Sequence, residues 1–335
     1  MSEPTLLDVL TREGVLISVS VRYWRATKKL SPEDLGLKPE DVSDRLIALG
    51  HKKLLPKEAL EALALIESRA HAFIENNTFP FLNGLAHFVP NSKLAEVTGK
   101  IKALEQEYWT AKQQFLQCYG SLRESAVKEW REMAQKLVAN PERLLATIEA
   151  SFPPPANLER CFGFEMQLFQ ISAPERLGLD LVAIGDQEKI MATREKASED
   201  AAAKIRAETE SFVADCVASL REQTAKLCEE MLQSINSSEN GVHQKTLNRL
   251  VRFIDQFKQM NFVNDAVMAT ELETTRKEIL SKTAQEYRDS GFARAQLTQG
   301  LSRLAERARH LATADAAELV QRFGEMGKRK FHLAA

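Results

Sequence analysis

Apolar residues in this chain follow two rhythms, and the switches between them outline the predicted elements. Over residues 14 to 24, GVLISVSVRYW, Val15, Ile17, Val19, Val21 and Tyr23 alternate against Ser18, Ser20 and Arg22. A period of two rich in β-branched residues predicts a strand. Ser31-Pro32-Glu33-Asp34 then opens a short helix, with Ser31 as N-cap, Pro32 at the first helical position and Gly36 as its end. Spacings of three and four begin near Pro56 and run through Leu60, Leu63, Ile66, Ala70 and Phe73 to the loop NNTFPFLNGLAHFVPN. Residues 1–90 are therefore expected to form a small α+β unit.

Beyond Ser92 a heptad seam appears: Ile101, Leu104, Tyr108, Ala111, Phe115, Cys118 and Leu122. The phase slips by four residues and continues through Ala126, Trp130, Met133 and Leu137, as in a stutter. Gly120-Ser121 is the one candidate break. Unbroken, the helix is a rod of roughly 67 Å. Asn140-Pro141 stops it, and a further short helix leads to the stiff connector SFPPPAN, so residues 91–150 hold a long helix and a short one.

Strand rhythm returns once, in CFGFEMQLFQISAPERLGLDLVAIG, residues 161 to 185. Phe162, Phe164, Met166 and Leu168 share one face, and Leu177, Leu179 and Leu181 repeat the pattern after a polar break. This predicts a β-hairpin inserted over residues 151–186. A continuous rod would hold that hairpin away from residues 14–24, and a lone two-stranded hairpin is marginal in water. Its apolar face then needs a cover. The protein's own fold supplies one if the rod bends at Gly120, and a docking partner or a bilayer are the alternatives. Helix, apolar hairpin, helix is also the order found in α-helical pore-forming toxins, although Asp180 and Glu165 on the opposite face argue against full insertion.

Helical spacing resumes near Gln187 through Ala197, Ala201, Ile205, Phe212, Cys216, Leu220, Leu227 and Met231. SSENG at 237–241 is a turn. Two amphipathic segments follow, one through Leu247, Leu250, Ile254 and Phe257, the other through Leu297, Leu301, Leu304, Leu311 and Leu319. Residues 187–335 thus read as a long-helix bundle with a basic tail. The expected fold is mainly α: an elongated antiparallel long-helix bundle or coiled coil, with a small N-terminal α+β unit and an inserted β-hairpin.

Composition removes function classes more readily than it supplies them. The 14 glycines are scattered, and neither a dinucleotide fingerprint nor a P-loop occurs. The six histidines lack the three- or four-residue neighbours of a helical metal site, and no nucleophile-elbow motif is present. The chain is accordingly expected to be non-enzymatic, with no catalytic, cofactor-binding or metal-binding residues. A net charge of −2 gives no global attraction to nucleic acid or anionic membranes. Residues 276 to 335 hold 12 Lys or Arg against 7 Asp or Glu, which reads as a solvated basic face. Cys118, Cys161, Cys216 and Cys228 form no C-x-x-C pair, and all but Cys161 fall at apolar helical positions, as buried free thiols would. With no secretory signal and no apolar stretch of spanning length, a cytoplasmic protein is expected.

The N-terminal third carries more specific information. Leu16-Ile17-Ser18-Val19, Trp24, KKLSPEDLGL and LIALGHKKLLPKEAL, then FPFLNGLAHFVPNSKL, the spaced Phe115, Tyr119 and Trp130, and finally FKQMNFVND form one arrangement. It resembles a bacterial family described as domain of unknown function 3150, over about residues 14 to 270. The positions that carry the match include Trp24, Leu30, Asp34, Leu35, Gly50, Lys52, Phe88, Tyr119 and Trp130. Members of that family tend to be encoded beside MoxR-type AAA+ ATPases and von Willebrand factor A proteins. The resemblance therefore implies an adaptor or structural subunit with those protein partners, with homo-oligomerisation open and nucleic acid not expected. In such an assembly the face of Phe162, Phe164, Met166, Leu168, Leu177, Leu179 and Leu181 would be a docking tip. Asp180 would offer a carboxylate to a metal-dependent partner, since hard cations prefer oxygen.

Overall fold

A computed structural model describes residues 5–38, 40, 42, 49–81, 84–170, 187–237, 241–314 and 316–333. The first half contains helix α1 (Leu6–Glu13), strands β1 (Gly14–Arg22), β2 (Thr27–Lys29) and β3 (His51–Lys53), helix α2 (Glu61–Asn77), and strands β4 (Phe79–Phe81) and β5 (Ala86–Pro90). Helices α3 (Asn91–Leu137), α4 (Pro141–Ser151) and α5 (Pro155–Glu159) lead to strand β6 (Gly163–Phe169). The rest is helical: α6 (Gln187–Ser237), α7 (Gln244–Met260), α8 (Ala266–Glu278), α9 (Ala284–Asp289), α10 (Gly291–Ala312) and α11 (Ala317–Leu333). A four-stranded sheet has the order β4-β5-β1-β6, and β2 and β3 form a separate two-stranded ribbon.

Two compact units interleave along the chain, whereas the sequence pattern suggested consecutive blocks. The bundle unit comprises Met1–Ile17, Asn77–Ala95 and Leu168–Ala335, and the ribbon unit comprises Ser18–Asn76 and Glu96–Gln167.

The bundle unit begins at Thr5, whose hydroxyl accepts from the N–H of Asp8 while the Asp8 carboxylate accepts from the N–H of Thr5. This reciprocal cap satisfies two orphan donors at the start of α1. Gly14 opposes Pro90 as β1 pairs antiparallel with β5. A Cβ at Gly14 would lie 2.3 Å from the Val89 carbonyl oxygen and 2.4 Å from the Phe88 ring, so only glycine lets the strands approach this closely. Phe88 in turn meets Phe212 of α6 and Phe262, with ring centroids at 5.6 and 4.9 Å. The core continues through Leu220, Leu227 and Met231 of α6 and Leu297, Leu301 and Leu304 of α10. α6 and α10 make the most extensive helix pair. They run antiparallel, because Arg294 reaches the Ile235 carbonyl while Arg221 reaches that of Leu311.

The ribbon unit is organised by α3, which passes through Gly120 without interruption. Its buried stripe departs from the predicted heptads after Phe115. Tyr119 and Ala134 are buried in place of Cys118 and Met133, which are exposed along with Leu137, while Ala126 is buried as expected. Steps of four suit a straight helix better than the strict seven-residue repeat of a supercoil. The thiol reading is corrected at Cys118 for the same reason, while Cys216 and Cys228 are buried as expected.

An intact rod and a β6 paired with β1 were expected to exclude each other, and both are present. The short helices explain it, because they carry the chain back along α3. Tyr119 donates to the Pro153 carbonyl at 2.8 Å, Lys112 reaches Glu159 at 3.4 Å, and the Tyr108 hydroxyl accepts from the Gly163 N–H at 3.0 Å. Tyr108 also donates to the Arg22 carbonyl, so one phenol ties the ends of β1 and β6 to the helix. Burial of that phenol pushes its pKa up to about 12.

Candidate functional site

Two of the family-like segments, KKLSPEDLGL and LIALGHKKLLPKEAL, meet at the β2–β3 ribbon. Its register sets Thr27 opposite Lys53, Lys28 opposite Lys52 and Lys29 opposite His51. Hydrogen bonds from Leu54 N–H to Ala26 O (2.7 Å) and from Leu30 N–H to Gly50 O (3.0 Å) close its ends. Gly50 turns the chain there with φ 75°, a left-handed conformation that costs glycine little. Between the strands lies a 3-10 helix, Pro32–Leu35, ended by Gly36. The Asp34 carboxylate accepts from the Ser31 N–H at 2.8 Å and from Lys52 Nζ at 2.6 Å.

Asp34 and Lys52 are both buried, each 6% exposed. Burial alone would raise the Asp34 pKa, but the hydrogen bonds from Lys52 and Ser31 outweigh it and leave the carboxyl below its usual value. From α3, Trp130 Nε1 donates to the Lys53 carbonyl at 3.0 Å. Leu30 and Leu35 are half-buried beside the pair. A 3-10 helix, two strands and a long helix thus hold a very short ribbon that would not be stable alone.

A cleft of about 610 Å³ opens beside this ribbon, lined by Lys28, Lys29 and Lys52 together with Arg143, Ala146, Thr147, Ala150 and Ser151 of α4. The helical period puts those five α4 residues on one face, while Leu144, Leu145 and Ile148 are buried on the other. The Thr147 and Ser151 hydroxyls donate back to the carbonyls of Arg143 and Thr147. Small side chains leave the floor open. Lys52 is neutralised by Asp34, but Lys28, Lys29 and Arg143 are exposed and have no carboxylate partner among the described residues. The lining contains no Asp or Glu. Such an arrangement attracts anionic groups.

Trp24 anchors the neighbouring turn, with ring centroids 6.5, 5.8 and 6.1 Å from Phe115, Tyr119 and Phe152. Of the residues proposed from sequence, Leu30, Asp34, Leu35, Gly50, Lys52 and Trp130 therefore surround the ribbon, Trp24 and Tyr119 form the aromatic anchor, and Phe88 lies in the core of the bundle unit. Sequence reasoning missed Lys28, Lys29 and Arg143. The two Lys-Lys pairs in the quoted segments were the available signal.

The apolar tip requires correction. Phe162 and Phe164 are buried, at 7% and 4% exposure. They pack on Phe115 and Tyr108 with centroids at 5.8 and 5.5 Å, so the fold itself covers them. Met166 is half-buried and Leu168 is 48% exposed. Leu177, Leu179, Asp180 and Leu181 lie outside the described residues. Among the described residues no helix is long and apolar enough to cross a membrane, and no group of three or more His, Cys, Asp or Glu could hold a metal ion.

A family model described as "Protein of unknown function (DUF3150)" matches residues 11–306. The chain belongs to this family. The DUF3150 match spans the whole ribbon unit and reaches into α10, well beyond the segments whose resemblance was legible by eye. No curated protein and no solved structure matches the chain.

Proposed function

We propose that this DUF3150 chain is a non-enzymatic adaptor that captures a partner protein by an acidic segment laid in the basic cleft. The observation that supports this is the set of three unpaired cations, Lys28, Lys29 and Arg143, around a cleft without carboxylates, on a ribbon fixed by a buried ion pair. Nearly neutral proteins that concentrate charge locally gain association rate and partner discrimination from it. The family's association with MoxR-type AAA+ ATPases and von Willebrand factor A proteins makes those two the partners to test first.

The test is co-purification of the tagged full chain with each candidate partner, compared with a triple variant Lys28→Glu, Lys29→Glu, Arg143→Glu. Capture falls by about tenfold or more in the variant, as expected for reversing charges at an electrostatic interface, and it weakens when salt is raised. Equal capture by the two proteins at all salt concentrations would overturn the reading.

A further inference from the structure

The ribbon indicates how such a segment is held. Consecutive residues of a strand point to opposite faces, yet Lys28 and Lys29 both line the cleft. The cleft therefore covers the face that Lys28 shares with its partner Lys52 and wraps round the outer edge of β2, where Lys29 meets it. The bonds Leu54 N–H to Ala26 O and Leu30 N–H to Gly50 O fix which residues face inward. They make Lys28 and Lys52 the hydrogen-bonded pair, so Thr27 and Lys29 turn their backbone N–H and C=O groups outward. Among the described residues nothing pairs with those outward groups. The matching edge of β3 is different, because Trp130 closes it at the Lys53 carbonyl.

We propose that the partner's acidic segment binds in extended form as a third strand on the free edge of β2. Its backbone pairs with Thr27 and Lys29 while its carboxylates meet Lys28, Lys29 and Arg143. Strand addition of this kind takes affinity from main-chain hydrogen bonds and selectivity from side-chain contacts. It also explains why an edge that would invite indiscriminate pairing carries lysines: they repel basic or like-charged strands and admit acidic ones. This inference rests on the adaptor reading and adds the binding geometry to it.

The probe is a blocked decapeptide of alternating Glu and Thr, titrated against the full chain by calorimetry. Two analogues carry N-methyl groups on every second residue, one on the Glu set and one on the Thr set. Methylating the inward-facing set removes two or more hydrogen bonds and weakens binding about tenfold or more, while the other set leaves it within about threefold. Equal effects of the two sets, whatever their size, overturn strand addition, and the cleft reading survives if Lys28→Glu still abolishes binding. Absence of peptide binding, or binding unchanged by Lys28→Glu, sinks the cleft reading itself.

A second arm uses the protein. Lys29→Ala removes a charge, and Lys29→Pro removes the same charge plus the outward N–H, which the ribbon's own ladder does not use. With folding checked by tryptophan emission, Lys29→Pro binds the peptide more weakly than Lys29→Ala by about fivefold, the value of one hydrogen bond. Identical affinities overturn the proposal.

Discussion

Among the described residues each unit holds a buried ion pair, and the two pairs are put to different uses. In the bundle unit, Arg221 Nε donates to Asp265 at 2.7 Å and its Nη1 donates to the Leu311 carbonyl at the same distance. Asp265 in turn caps α8 by accepting from the Met268 N–H. One planar fork therefore ties α6 to the start of α8 and the end of α10, a geometry that a lysine cannot reproduce. Surface ion pairs such as Arg249–Glu230, Arg276–Asp255 and Lys258–Glu273 lie in the same unit. In the ribbon unit, Lys52 and Asp34 join a strand to a 3-10 helix, and three cations beside them stay unmatched. The first pair closes a core. The second joins two elements beside an exposed basic cleft.

The most damaging way to probe this contrast is to break each pair in turn. Arg221→Ala is expected to cost about 3–5 kcal/mol, because it strands a buried carboxylate and frees a part-buried carbonyl. Lys52→Ala strands only the carboxylate, which water can reach through the cleft, and falls at or below the low end of that range. The chain allows separate readouts: its three tryptophans, Trp24, Trp109 and Trp130, all belong to the ribbon unit. Urea unfolding followed by tryptophan emission therefore reports Lys52→Ala, while far-ultraviolet dichroism, dominated by the long helices, reports Arg221→Ala. Equal losses would erase the distinction between closure and support.

Gly14→Ala tests the bundle unit from its sheet side. The added methyl meets a carbonyl oxygen that the β1–β5 ladder holds in place, so a loss of about 1–3 kcal/mol is expected in dichroism-monitored melting. An unchanged melting temperature would show that the strands can separate without penalty.

Acid sharpens the contrast through Asp34. Its folded pKa is depressed, so the stabilisation it provides is fully present above the unfolded value of about 3.9 and is lost as pH falls through the lower folded value. Glu67 adds to this in the same unit, since the hydrogen bond from Arg25 lowers its carboxyl too. Below about pH 4 the ribbon unit should therefore lose stability by tryptophan emission, and Asp34→Asn should flatten that decline. A decline of the same steepness in Asp34→Asn would remove Asp34 from the account. The smallest effect belongs to Trp130→Phe, which deletes one hydrogen bond to the Lys53 carbonyl and should cost about 0.5–1.5 kcal/mol in unfolding followed by the emission of Trp24 and Trp109.

Helical spacing and strand alternation were legible wherever the period ran unbroken over several residues. The long helices α3 and α6 and the strands β1 and β6 follow directly from periodicity. The return path of α4 and α5 was not legible, because it depends on single polar contacts such as Tyr119 to Pro153 and Tyr108 to Gly163. A phenol at an apolar position looks like any other core residue in a pattern of hydrophobic spacings. The basic cleft was hidden for a related reason. Lys28 and Lys52 are 24 positions apart, Arg143 lies farther still, and only the ribbon register and α4 bring them together. Met133 and Leu137 show the converse error, where a seven-residue period continued past the point at which the helix had stopped needing it.

The interleaving of the units also sets an order in time. Every residue of the ribbon unit has been synthesised once Gln167 is added, whereas the bundle unit still awaits α6 to α11. Vectorial synthesis thus lets the ribbon unit emerge and begin to fold before the last helices of the bundle unit are made.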